Sequence, residues 1–580
     1  MKEYRTHLSS DINESCLQKE VLLAGFVASI RDHGGITFID LRDSSNTVQL
    51  VINDPSLIEG LTRESVISVK GIVRERDKEN YNDKISSGKV EVVVSSINVL
   101  SRSKNILPFE IDESEKVSED LRLKYRYLDM RNQNVAEKMK LREDVIWEIR
   151  CFMKEHGFRD IHTPILTADS PEGARCFLVP SRLHHGEFYV LPQSPQQFKQ
   201  LLMIGGVDKY YQIAPCFRDE DSRAFRSAGE FYQLDMEMSY ANQQDVQEIT
   251  EKLIKQIFKK FGCLEFDATQ NFIHIPYKEA MIKYGSDKPD LRNPIEIKEL
   301  TQVFKDTTFS AFAGNTVRGF AINCGDRPNS FYKQLTEFML QEGAGGLAWL
   351  EVQEDKTLKG PLVKFITEKE QADLIETTGA KVGDDIFLIA DKKDKCEKLI
   401  GTFRLEIGKK LGIVDTSKYY FCWIDDFPYY EYNEDTDSID FGHNPFTAPQ
   451  GKLEALNTLQ PLDILAEQYD LVCNGVELAS GAVRNTEVET MVKAFEIAGY
   501  TKEDVERRFG ALYNAFTYGA PPHAGIAPGL ETMLMLLCGT LNIREVIPFP
   551  MNAKAQDLLM GAPSQVSEKQ LREAHIKVRD

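Results

Sequence analysis

No two of the ten cysteines in this 580-residue chain form a C-x-x-C pair; they are scattered as Cys16, Cys151, Cys176, Cys216, Cys263, Cys324, Cys396, Cys422, Cys473 and Cys538. Such spacing suits free thiols in a reducing cytoplasm rather than a zinc frame or a disulfide framework. No apolar run approaches the roughly 20 residues a membrane span needs, which excludes a helical span. The opening MKEYRTHLSSDINES has neither the apolar core of a secretory signal nor the Arg-rich, acid-poor character of a transit peptide. A soluble, cytoplasmic protein is the expectation. Positive charge is also short: the net charge is -20, which speaks against a generic basic nucleic-acid binder. The shortage is uneven. Residues 1–105 carry 14 basic against 15 acidic side chains, so the acidic excess lies almost wholly in the rest.

Hydrophobic content is 42%, enough to bury several cores, and the length predicts three or four domains, three being the working number. From Val21 to about Leu100, short β-rich runs alternate with turns: VLLAGFVAS, GITFIDL and TVQLVI, a helical connection near Pro55 to Glu64, then VISVKGIV and VEVVVSSINVL. Five strands with a helix between the third and fourth predict an OB-fold β-barrel over residues 1–103. Such barrels bind single-stranded nucleic acid on their middle strands by stacking and base-edge contacts. Phe38, Gln49 and Arg31 fall where that face should be. Phe38 taken alone reads as core as readily as platform, and the grouping of all three favours the platform.

A charged, helix-poor connector is expected over 104–133. Asn134, with Glu137 three residues on, predicts the cap of a helix whose apolar face is Leu141, Val145, Ile149, Phe152 and Met153, ending at Gly157. In RDIHTPILT, Pro164 interrupts an extended run, which places that strand at a sheet margin or subunit boundary. Residues 294–411 read as an inserted α/β domain with strands VRGFAIN, GGLAWLEV and DIFLIAD, because polar, Gly-marked motifs resume only after it. The segments on either side of it, 134–293 and 412–564, accordingly make one domain, and 565–580 is a helical tail. The fold class is multidomain α+β.

Four distant segments place polar residues at expected strand ends: QSPQQFK (Gln193 to Lys199), APCFRDEDSRAFRSAGEFYQLDMEMSY (Ala214 to Tyr240), GVELASGAVR (Gly475 to Arg484) and PPHAGIAPGL (Pro521 to Leu530). Their convergence on one antiparallel sheet would make a site able to hold polyphosphate beside an amino acid. Singly they are ambiguous. Ser194, Gln196 and Lys199 suit ammonium and carboxylate groups or a polar helix start, and Glu477 with Arg484 reads equally as a surface ion pair.

With these motifs in order, the chain resembles the bacterial aspartyl-tRNA synthetases, class II enzymes, from the barrel to about Ser564. The helix and TPILT around Pro164 resemble the family's first motif, at the dimer interface, and FRDED and PPHAGIAPGLETMLML resemble the second and third. SPEGAR (Ser170 to Arg175) resembles the loop that closes over the amino acid. The resemblance implies a homodimer, an antiparallel catalytic sheet, ATP and L-aspartate as substrates, Mg2+ as cofactor and tRNA(Asp) as partner, with tRNA(Asn) left open. It implies that Arg218 bridges the α-phosphate and the attacking carboxylate, with Asp219 beside it. Glu220 serves the adenine side or the tRNA's terminal adenosine, Phe231 stacks on adenine and Arg226 reaches the terminal phosphates. Asp470 and Glu477 match the magnesium carboxylates. Lys199 and Arg484 match the pair for aspartate's side chain, with Asp235 orienting Lys199 and His443 nearby, while Glu172, Ser194 and Gln196 hold the ammonium. Arg31, Phe38, Gln49 and Glu91 match anticodon-reading positions, and His33 matches a histidine of broad-specificity relatives, whereas Glu79 in the facing loop does not match those relatives' usual glycine.

The sequence departs from the family pattern at three places. Thr532 stands where the third motif carries an arginine, Ser227-Ala228-Gly229 replaces a shorter hairpin turn, and Cys176 replaces a common aspartate. An active enzyme leaning on Arg226, Arg223 and magnesium for the ATP tail is the expectation. A catalytically impaired, RNA-binding relative and an asparagine-using relative are the alternatives.

Overall fold

The computed structural model describes residues 3–82, 85, 87–169, 174–220, 229–433 and 436–579. Two compact units make up the chain, Met1–Ser114 and Glu115–Asp580.

In the first unit, five strands (Glu20–His33, Ile36–Arg42, Thr47–Ile52, Val66–Glu75 and Val90–Ser101) close into a barrel in the order first, second, third, fifth, fourth. Period-2 alternation sends Val21, Leu23, Val27, Ile39, Leu41, Val48 and Leu50 inward to a dry core. Phe38, Asp40 and Gln49 consequently point outward; Phe38 is not a core residue. The connection between the third and fourth strands is one short 3-10 turn, Pro55–Ile58, capped by Asp54. Closure brings backbones very near: a Cβ on Gly71 would lie 2.5 Å from the Val93 carbonyl oxygen.

The second unit is built on an eight-stranded sheet. Its strands run in the order Ile273–Pro276, Phe421–Asp425, Gln468–Cys473, Val476–Val483, His523–Pro528, Gly229–Ser239, Lys209–Arg218 and Arg159–Asp160. The inner six strands pair antiparallel and each outermost strand pairs parallel with its neighbour. The strand before Pro164 is therefore at the sheet margin. Helices Gln133–Glu155, Gln243–Phe261 and Leu530–Cys538 cover one face, their Val145, Ile149, Leu253, Ile257, Met533 and Leu534 packing with Trp423, Tyr469, Leu471 and Ile526. Covering one face with helices leaves the other for chemistry.

Two local expectations need correction. Asn132, not Asn134, caps the helix Gln133–Glu155, its side chain accepting the Asn134 N–H at 2.9 Å. The connector is not helix-poor: it holds helices Glu119–Lys124 and Arg126–Asp129. Partners far along the chain fix them, since Arg122 pairs with Asp129 at 3.1 Å and with Glu545 at 2.7 Å. The inserted segment carries a separate five-stranded sheet, in the order Lys298–Glu299, Thr316–Ile322, Asp385–Asp391, Ala348–Val352, Leu358–Lys359, flanked by helices Asn329–Gln341 and Lys393–Leu411.

Candidate active site

The open face of the eight-stranded sheet forms a cleft of about 920 Å³. All four sequence segments reach it: Ser194, Gln196 and Lys199 from the first, Arg218, Glu220, Phe231 and Asp235 from the hairpin, Glu477 and Arg484 from the third, and Ala527 and Gly529 from the fourth, with Thr532 just beyond it. For the last three segments convergence follows from strand order, because their strands are neighbours, while the first opens the helix Gln196–Ile204.

At one end the sheet buries four charges. Lys199 Nζ lies 2.7 Å from Asp235 Oδ1 and 3.3 Å from Glu237 Oε2, and Arg484 donates from Nε and Nη2 to the two oxygens of Glu237 at 2.9 and 3.2 Å. Burial alone would raise the Glu237 pKa, but Arg484 and then Lys199 hold it down, to about 2. Burial pushes Asp235 upward against the pull of Lys199. Of the two carboxylates, Glu237 is thus the firmly ionised one. Gly525 makes room for it: a Cβ there would come 1.9 Å from Glu237 Oε2. Below, Gln200 bonds His523 Nε2 at 3.2 Å while His523 Nδ1 donates to the Pro521 carbonyl at 2.7 Å, and burial keeps this histidine neutral by lowering its pKa. Gln196 lines the same end, with Nε2 buried and unpartnered. His443 is on the cleft wall, edge-on to Phe427, and desolvation lowers its pKa.

The other end is barer. Arg218 closes its strand with Nε buried and without a hydrogen-bond partner, its guanidinium 4.9 Å from the centre of the Phe231 ring. An aromatic face under a cation with donor capacity to spare suits a stacked base next to a phosphate. Glu220 lines the cleft, whereas Asp219 is exposed outside it, its N–H donating to the Arg175 carbonyl at 2.9 Å. Thr532 lines the wall next to Glu531, which is itself engaged by Arg142 at 2.8 Å and by the Tyr232 N–H at 2.9 Å. Glu172, Arg223, Arg226, Ser227 and Ala228 lie outside the described residues.

Between the two ends are the carboxylates proposed for magnesium. Glu477 lines the cleft; Asp470 is buried behind it, on the neighbouring strand opposite Ser480. Burial, then the charge of Glu477, pushes the Asp470 pKa well above the usual range. A buried carboxyl beside a second carboxylate is a donor set a hard cation would relieve, and two suffice for an ion sharing its shell with phosphates. No cluster of three or more possible metal-binding side chains occurs among the described residues. Sequence reading missed Lys288, whose Nζ is 3.2 Å from Glu477 Oε2 and 2.8 Å from Asp287 Oδ2. It also missed Glu237. Its signal was present, since residues two apart on a strand, Asp235 and Glu237, must share a face.

On the barrel, the outward side chains form a polar chain across the strands. Arg31 Nη2 donates to Asp40 Oδ1 at 2.9 Å; Asp40 faces Gln49 across the second and third strands; Gln49 Nε2 donates to Glu91 Oε2 at 2.9 Å; and Arg74 Nε donates to Glu91 Oε1 at 2.7 Å. Phe38 lies directly opposite Arg31, with His33 edge-on to its ring at 5.8 Å. All five predicted barrel residues therefore lie on one face of the barrel, joined by Asp40 and Arg74, with Glu91 buried among its partners.

A family profile described as tRNA synthetases class II (D, K and N) matches residues 118–553. The chain belongs to the class II tRNA synthetases. A second profile, an OB-fold nucleic acid binding domain, matches residues 21–100 of this synthetase. Among similar proteins, the aspartate–tRNA ligase of Streptomyces coelicolor is 49% identical over 584 residues, covering 100% of this chain and 99% of that one. The aspartate–tRNA(Asp/Asn) ligase of Rickettsia felis is 47% identical over 591 residues, covering 99% and 98%. Two solved structures share the fold: the aspartyl tRNA synthetase of Entamoeba histolytica (TM-score 0.56, 20% identity, covering 94% of this chain and 91% of that one) and the asparaginyl-tRNA synthetase of Pyrococcus horikoshii with asparaginyl-adenylate (TM-score 0.57, 18% identity, covering 94% and 97%). The helix Leu530–Cys538 of this synthetase opens on Glu531 and Thr532 and carries no arginine.

Proposed function

We propose that this synthetase is an aspartate–tRNA ligase that joins L-aspartate to ATP as aspartyl-adenylate, releasing pyrophosphate, and passes aspartate to the 3' end of tRNA(Asp). The observation that carries this reading is the Lys199–Arg484 pair, held by Asp235 and Glu237 in the cleft that also presents Arg218 over Phe231. Full-length identity to proteins named for this reaction supports it.

Aspartate's α-carboxylate is already ionised and attacks the α-phosphorus directly, so the residues have to position and neutralise rather than accept a proton. Arg218 is free to fork between the attacking carboxylate and the phosphate. Lys199 and Arg484 meet the side-chain carboxylate; asparagine would leave that positive charge unmatched. Ser194 and Gln196 lie where an ammonium group would sit. Asp470 and Glu477 would hold a magnesium ion, which when bound supplies positive charge to the phosphates.

The barrel surface from Arg31 to Glu91 is suited to the anticodon, Phe38 offering the stacking platform. The Rickettsia relative's name includes tRNA(Asn), and the His33–Phe38 contact is where such a choice would be read. A homodimer fits the large apolar side chains left exposed around the first motif, Trp147 at 68%, Ile165 at 46% and Leu166 at 53%. Among the described residues no helix is long and apolar enough to cross a membrane, and a cytoplasmic site of action suits the proposed partners. ATP–pyrophosphate exchange tests the assignment: exchange with aspartate is expected, and equal exchange with asparagine, or none with either, would overturn it.

A further inference from the structure

Among the described residues, none from 294–411 lines the cleft, yet the inserted domain grips the segment that brings Lys288 to it. Arg404, on helix Lys393–Leu411, is 1% exposed and points its guanidinium at backbone rather than at an acid. Its Nε donates to the Ile295 carbonyl at 2.6 Å, and its Nη2 donates to the carbonyls of Asp290 at 3.0 Å and Asn293 at 2.6 Å. Asn293 Nδ2 returns a bond to the Arg404 carbonyl at 2.8 Å. Two glycines of this helix allow the approach: a Cβ on Gly401 would be 2.4 Å from the Gly285 oxygen, and one on Gly408 would be 2.4 Å from Asn293 Nδ2.

On its other side the segment packs against the turn between strands Gln468–Cys473 and Val476–Val483, which carry Asp470 and Glu477. A Cβ on Gly475 would sit 3.1 Å from Asp290 Cβ. Residues 285–293 are thus clamped between the inserted domain and the strands bearing the magnesium carboxylates. From that clamp Lys288 enters the cleft and meets Glu477 at 3.2 Å. An ammonium and a divalent ion cannot both take the same carboxylate oxygen. Either the lysine swings away on its flexible stem or the ion is kept out.

We infer that Lys288 is a positioning residue that holds Glu477 in the nucleotide-free enzyme and competes there with the divalent ion, and that the inserted domain sets this competition by fixing the Lys288 segment through Arg404. The inference rests on the reading that Asp470 and Glu477 hold the ion. Lys288 stays charged: burial lowers its pKa, but Glu477 and Asp287 raise it overall.

The test is Mn2+ binding to the full-length protein with ATP and without aspartate, followed by electron paramagnetic resonance and corrected for Mn2+ bound by ATP alone. Lys288→Met should lower the half-saturating Mn2+ concentration by about two- to fivefold, the range for losing one partly exposed ion-pair competitor. Arg404→Met should shift the midpoint in the same direction by less, and the double variant should match Lys288→Met alone. If Arg404→Met does not fold, Gly408→Ala loosens the same clamp and takes its place. Unchanged or weaker Mn2+ binding in Lys288→Met, where Glu477→Gln weakens it, overturns the inference. Additive shifts in the double variant overturn the role of the inserted domain. No change in Glu477→Gln would instead remove the magnesium reading beneath both.

Discussion

The two ends of the cleft are built on opposite plans. The end proposed for the amino acid is a closed set of four buried charges on sheet residues and one sheet-facing helix, with Lys199, Asp235, Glu237 and Arg484 each within bonding distance of another member. The end proposed for the nucleotide has, among the described residues, one strand-borne arginine with an unpartnered Nε, an aromatic ring and the hydroxyl of Thr532. On the proposed reading, selectivity between aspartate and its amide would therefore rest on rigid elements fixed before any substrate arrives. At the other end Arg218 Nε, unpartnered among the described residues, is left for a ligand to engage. Preorganisation at one end and assembly at the other is a sensible division, because charge discrimination needs fixed cations while pyrophosphate must leave.

The most severe break should come at the amino-acid end. Arg484→Met leaves Glu237 buried with only Lys199 to face it, and removing one partner of a buried pair costs about 3 to 5 kcal/mol. In transition-state terms that is roughly 10²- to 10³-fold or more in kcat/KM for aspartate. ATP–pyrophosphate exchange at varied aspartate measures it, and a loss under tenfold would mean that the end is less interlocked than its distances indicate.

Next is the opposed behaviour of the two acids. Glu237 has its folded pKa depressed to about 2, so the stability it contributes is fully present above its unfolded pKa, near 4.5, and is lost as pH falls through about 2. That shift corresponds to an order of ~3 kcal/mol. Asp235 has its pKa raised, so its ionisation costs stability at neutral pH and acid relieves that cost. Thermal unfolding at pH 7 should show Glu237→Gln destabilised much more than Asp235→Asn, with the gap narrowing below about pH 4. Equal losses at both pH values would contradict the assignment.

At the nucleotide end, restoring an arginine sharpens the contrast. Thr532→Arg should lower the KM for ATP by about tenfold or more, as a charge-assisted hydrogen bond contributes roughly 1.5 to 3 kcal/mol, and should leave the KM for aspartate unchanged. A wild-type enzyme inactive until this change is made would point instead to the impaired alternative.

Why some of this was legible in sequence and some was not follows from range. The barrel strands announce themselves by alternation within eight to ten residues, and Phe38, Gln49 and Arg31 then fall on one surface by parity. The four cleft segments carry local turn and strand-end signals, so their convergence could be expected before the sheet order was known. Glu477 and Arg484 look like partners in sequence, but they pair with Lys288 and Glu237, which come from other strands and segments. Register across a sheet is not written in either strand alone. The connector helices were missed for the same reason: Arg122 is held by Glu545, from the far end of the chain. Asp219, adjacent to two cleft residues, turns outward because its N–H is tied to Arg175, a contact no local pattern encodes.

The smallest change separates both ends of the cleft from the barrel. Phe38→Ala removes a half-buried outer-face ring that packs against His33 and takes no part in the barrel core, so folding should be little affected. Base–aromatic stacking contributes about 1 to 3 kcal/mol, and one platform on a surface that also holds polar readers should fall near the lower end. The KM for tRNA(Asp) should rise about five- to tenfold in aminoacylation, while ATP–pyrophosphate exchange without tRNA stays at the wild-type rate. A fall in exchange as well would show that the barrel surface and the cleft are energetically linked, and the contrast between the two ends would then have to include the barrel.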